Sequence, residues 1–103
     1  MKKTIKLVVK TLLASRDDYN KDNDKEISRF RITRSSIKKA ADLNQLPDNF
    51  EKKLFFEMTK YGWLGFLDFD DNFVFVKNES LKNWARLGST RINKQKEELE
   101  KND

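Results

Sequence analysis

The chain of 103 residues contains no cysteine and no histidine. Without thiols there are no disulfides and no thiolate nucleophile; without imidazole, the usual general base and the commonest zinc ligand at neutral pH are missing. Most hydrolytic mechanisms fall away on that ground, and the expectation is a protein that is not an enzyme and carries no metal and no cofactor. A single proline and three glycines leave little room for linkers, and no internal repeat or low-complexity stretch interrupts the chain. Long apolar runs are missing as well. The longest, residues 63–67 and 73–76, are far shorter than a membrane span, and the first ten residues intersperse Lys2, Lys3, Lys6 and Lys10 where a secretion signal would be apolar. These features predict a cytoplasmic protein with no membrane contact.

What the chain does hold is charge and aromatic mass. Charged residues make up 38% of the sequence with a net charge of +5, and eight Phe, two Trp and two Tyr supply the bulk for one core. A chain of this length hides only about 60–65% of its unfolded surface, which predicts one small domain. The charge is arranged in blocks: residues 1–16, 17–26, 27–39, 40–76, 77–96 and 97–103 carry +5, −3, +5, −4, +5 and −3 in turn. Three basic segments suit a polyanion if the fold brings them to one face, although any one such run can simply solvate a surface.

Hydrophobic spacing predicts the elements. Ile5, Val8, Val9, Leu12 and Tyr19, with Leu13 beside them, form a helical stripe over residues 2 to about 20. The polar run Asp17 to Glu26 then reads as a loop; its alternating Asp and Asn lack the glycine and final glutamate of a calcium loop, since those positions hold Asn23 and Arg29. Residues 29–33 alternate and predict a short strand with Phe30 and Ile32 inward. Thr33 or Ser35 can cap a second helix over residues 34–43 with Ile37, Ala40 and Leu43 buried.

The segment Asn44-Gln45-Leu46-Pro47-Asp48 stops that helix and starts another, with Asp48 and Glu51 at capping-box spacing. Over residues 49–61, Phe50, Leu54, Met58 and Tyr61 fall within roughly 80° of arc, and Asn49, Lys52, Lys53, Phe56 and Lys60 gather opposite. Gly62 suits the helix end. Residues 63–69 and 73–76 then predict a hairpin around Asp70-Asp71-Asn72. Residues 80–87 read as a short helix with Leu81, Trp84 and Ala85 inward, residues 88–93 as extended, and residues 94–103 as a charged tail in a frayed or detached helix. The domain is expected over residues 1–93.

This order of helix, strand, helix, helix, strand, strand, followed by a short C-terminal helix, resembles the winged helix-turn-helix family over residues 4–76, as a pattern rather than a signature motif. The fold class that follows is α+β. The resemblance implies that the helix over residues 49–61 enters the major groove of double-stranded DNA, that the end of the second helix meets phosphates, and that the hairpin approaches the minor groove or backbone. It also suggests a small transcriptional regulator or accessory factor of a mobile element, of the phage or plasmid kind.

Laid on the residues, that implication makes Lys52, Lys53 and Lys60 donors to phosphate or guanine, Asn49 a reader of adenine or a phosphate ligand, and Phe56 a contact for a thymine methyl. Arg31, Arg34, Lys38 and Lys39 join them as phosphate ligands, arginine being the better bidentate donor. The competing reading is that the lysines only solvate a helix and Phe56 packs under the hairpin or the 80–87 helix. One departure from the family stands out: Asp68, Asp70 and Asp71 at the hairpin tip would be repelled by phosphate. An acidic tip and an outward aromatic fit a protein partner, as in a phage- or plasmid-encoded inhibitor of a host nucleic-acid enzyme docking through Phe56 and the 68–71 hairpin. Self-association as a homodimer is also left open.

Overall fold

The computed structural model describes residues 3–102; the expected helix start at Lys2 and the last tail residue, Asp103, lie outside them. The architecture is α+β. Helix α1 (Ile5–Asn23) is followed by β1 (Arg29–Ile32), α2 (Arg34–Ala41), α3 (Phe50–Thr59), β2 (Trp63–Leu67), β3 (Phe73–Lys77), a 3₁₀ turn (Asn78–Asn83) and α4 (Ser89–Lys101).

Thr4 starts α1 by accepting the Leu7 N–H on its hydroxyl at 3.2 Å, so one of the unpaired amides at the helix start is satisfied. The helix runs through the polar segment expected to end it. Arg16 explains why: its Nε and Nη2 both donate to the Ile27 carbonyl, at 3.1 and 2.8 Å, while Asn20 Oδ1 accepts the Ile27 N–H at 3.0 Å. The loop is thus fastened back onto the helix, and α1 stops only where Asp24 turns left-handed at φ 50°.

The sheet order is β1-β3-β2, all antiparallel, with β3 in the middle. Strand alternation sends Phe30, Ile32, Trp63, Leu67, Phe73 and Phe75 to one face, where they meet Val8, Val9 and Leu12 of α1, Ile37 and Ala41 of α2, and Phe50, Leu54 and Met58 of α3. Phe30 packs edge-on against Trp63 at 5.0 Å between ring centroids, and Phe55 of α3 lies against Phe73 and Phe75 at 5.6 and 5.8 Å. Gly65, opposite Phe75 in β2, makes that seat: a Cβ there would overlap the Phe55 ring and stand 2.9 Å from Phe75 Cε1. Arg29, Arg31, Leu64, Phe66, Val74 and Val76 fall on the other face of the sheet by the same alternation.

Several expectations need correction. Asp48 and Glu51 form no capping box: Asn49 is the N-cap of α3, no side chain caps it, and the Glu51 carboxylate instead receives Arg34 Nη2 at 2.7 Å. Tyr19 and Tyr61 leave their stripes half exposed, at 46% and 43%, as a side chain with an apolar ring and a polar tip can at the edge of a core. The 80–87 helix is a 3₁₀ turn ending at Asn83, and Trp84, expected inside, is 59% exposed. Residues expected to be extended before the tail are already helical, α4 beginning at Ser89 rather than Lys94.

Candidate nucleic-acid interface

Helix α3 is held from one side only. Phe50, Leu54 and Met58 are buried against α1 and the sheet, and Gly62, at φ 84°, turns the chain directly into β2. That leaves Asn49, Lys52, Lys53, Phe56 and Lys60 on the solvent side, all exposed as their spacing predicts. Asn49 occupies the N-cap without spending its side chain there, so its amide is available to a ligand at the positive end of the helix. Among the described residues, Lys52 and Lys53 have no carboxylate within 4.0 Å, and the same holds for Lys38 and Lys39 in the last turn of α2.

The remaining cations are committed elsewhere. Lys60 Nζ lies 3.0 Å from Glu57 Oε2 and 5.3 Å above the Phe56 ring. Apolar spacing passes over Glu57, yet it is only 8% exposed; its position within the apolar arc and its i,i+3 spacing to Lys60 are the signal the sequence carries for it. Arg34 is drawn to Glu51 and lies 5.2 Å over the Phe73 ring, a pairing across 17 positions that spacing does not reveal. Arg31 projects from the sheet face opposite α3, with Nη1 3.7 Å from Asp68 Oδ2. The structure therefore gathers Asn49, Lys52, Lys53, Phe56 and Lys60 on one helix face and separates Arg31 from them. Phe56 is 66% exposed, which removes the expectation that it packs under the hairpin or the 80–87 segment.

At the hairpin tip the three aspartates are not equivalent. Asp68 Oδ1 accepts the N–H groups of Asp70 and Asn72, both at 2.9 Å, and Oδ2 accepts Asn72 Nδ2 at 3.2 Å. The Asn72 backbone N–H foremost holds the Asp68 carboxyl below its usual value; burial, the next-largest effect, opposes it, and the Asn72 amide, the Asp70 N–H and the Arg31 charge add to the lowering. A lowered pKa means that this carboxylate stabilises the turn above the ordinary Asp range and stops doing so as pH falls through the lowered value. Protection of the Asp70 and Asn72 amides, measured against their intrinsic exchange rates, should accordingly persist through the ordinary Asp range and be lost only as pH falls below it, and in Asp68→Ala it should be absent at every pH. Asp70 and Asp71 are exposed, as is Phe69 between them and Asp68, at 107%.

No helix among the described residues is long and apolar enough to cross a membrane. Comparison with known proteins finds no matching family, no matching curated protein and no matching solved structure.

Proposed function

We propose that this chain is a small DNA-binding protein of the winged helix-turn-helix type, which presents the outer face of α3 to the major groove of duplex DNA and serves as a transcriptional regulator or accessory factor of a mobile element. The observation that carries the reading is α3 itself: a helix anchored by one buried face, with the ligand-ready amide of Asn49 and the unpaired Lys52 and Lys53 on the other. The α2–α3 turn and the β1-β3-β2 strand order suit the same plan, and Lys38 and Lys39 are available to phosphates. The hairpin is not part of the contact, because Asp70 and Asp71 would face phosphate there. A fluorescence-anisotropy titration with a duplex tests the proposal. With Lys38, Lys39, Lys52 and Lys53 each neutralising a phosphate, log K should fall with log salt at a slope of about −3 to −4; no binding at about 50 mM salt would overturn it.

A second reading rests on Phe56, left to solvent on the outer face of α3, and on Phe69, exposed in the acidic hairpin turn. Exposed rings anchor protein interfaces and carboxylates can take the place of phosphates, which suits docking onto a nucleic-acid enzyme. Phe56→Ala separates the two. On DNA it should cost about 1 kcal/mol, chiefly at a thymine; on a protein partner, about 2 kcal/mol or more. Fold stability should change by no more than about 0.5 kcal/mol in either case, and a larger loss in thermal unfolding would make the ring structural.

A further inference from the structure

Helix α4 has 13 residues and none of them is buried; every residue from 82 to 102 is exposed. The radius of gyration, 18.2 Å, exceeds the roughly 13 Å of a compact chain of this length, and the molecule is 61 Å long against 35 and 23 Å in the other directions. A helix this short is marginal in water by itself. Its charges make matters worse: Arg91 and Lys94 lie in the first half, while Glu97, Glu98 and Glu100 outnumber Lys96 and Lys101 in the second, the reverse of what the helix dipole favours. No side chain caps its start.

A second copy of the same helix lying antiparallel would cover its apolar seam and set each basic half against an acidic one. Ile92 and Leu99 lie about 20° apart around the helix, with Gln95 close by, and form a narrow seam; Leu87, Ile92 and Leu99 are 70%, 53% and 68% exposed and line one open groove along the helix with Arg91 and Glu100. Arg91 and Glu98 sit one heptad apart on the same flank of that seam. In an antiparallel pair each flank faces its own copy, so Arg91 meets Glu98 of the second copy, and the two-fold axis repeats the ion pair. The same register sets Ile92 beside Gln95 of the other copy and Leu99 over Gly88, where a Cβ would meet nothing within 4 Å, and beside Leu87. A parallel pair would set like charges together. We propose that α4 is a self-association element that joins two copies through an antiparallel helix pair, independently of whether α3 binds DNA.

Two 13-residue helices bury less than a standard interface, so association belongs at about 0.1–1 mM. Sedimentation velocity of the full chain over that range should show the weight-average mass rising from 12.3 kDa towards twice that value. Arg91→Glu alone and Glu98→Arg alone should each stay monomeric. Mixed in equal amounts, the two variants should pair, since each supplies the charge that the other lacks, and the double variant Arg91→Glu/Glu98→Arg should pair with itself. The melting of the core, followed by near-ultraviolet circular dichroism, should be the same in all of them. A wild type that stays monomeric at the highest concentration overturns the proposal, and so do single variants that associate like the wild type or a mixture that fails to pair. Binding of monomeric variants to DNA through α3 would leave the functional reading standing whatever the outcome here.

Discussion

Phe75→Ala should lower the free energy of unfolding by about 3–5 kcal/mol, enough to leave a chain of ordinary stability partly unfolded at 37 °C. Phe75 is fully buried in the central strand, with its ring 5.3 Å from Phe30 and 5.8 Å from Phe55. Truncation would empty the place where β1, α3 and Gly65 of β2 converge, and Gly65 has no side chain with which to fill it. Collapse is hindered further because the strand is held on both edges, by β1 and by β2. Urea denaturation measures the loss. A cost below about 1 kcal/mol would mean that the sheet and α3 are not packed as described.

For DNA affinity the largest effect belongs to Lys52→Glu combined with Lys53→Glu. Each change removes a cation from the exposed face of α3 and places a carboxylate where phosphate is expected, so binding should weaken by about 2–4 kcal/mol in low salt and the salt slope should shrink by about 2. Neither side chain touches a carboxylate partner whose loss would unbalance the fold, and melting should move little. Arg29→Glu combined with Arg31→Glu is the contrasting variant, because it changes the same amount of charge on the opposite face of the sheet. If both variants weaken binding equally, net charge rather than α3 is responsible; unchanged binding in the lysine variant would remove α3 from the interface.

The elements with a deep apolar stripe were legible from spacing. Val8, Val9 and Leu12 announce α1, Phe50, Leu54 and Met58 announce α3, and the alternation of residues 29–32 gives the strand and its inward Phe30 and Ile32. The exposed side of α3 was equally legible, being what remains once the stripe is assigned. The pairings that decide which cations are available were not. Arg34 is claimed by a glutamate one element away, and the strap from Arg16 to Ile27 carries α1 through a segment whose composition says loop. Both depend on where the chain returns in space, which periodicity does not encode. The C-terminal part failed for a different reason: with no buried face, residues 80–101 carry no stripe strong enough to mark helix from turn.

The scarcity of glycine has a price that falls on aspartate. Left-handed backbone is needed at the ends of α1 and α2 and in the hairpin turn, and the residues that adopt it are Asp24, Asp42 and Asp71, at φ 50°, 57° and 61°; Gly62 is the only glycine so used among the described residues. Part of the protein's acidity is therefore steric in origin, since Asp tolerates this region better than most side chains. The consequence bears on engineering. Anyone seeking to raise the net positive charge by deleting carboxylates would lose helix ends and a turn at these three positions if alanine were chosen, whereas asparagine or glycine would remove the charge and keep the bend. Sign and shape can be edited separately in this chain, but only by a residue that still fits the left-handed bend.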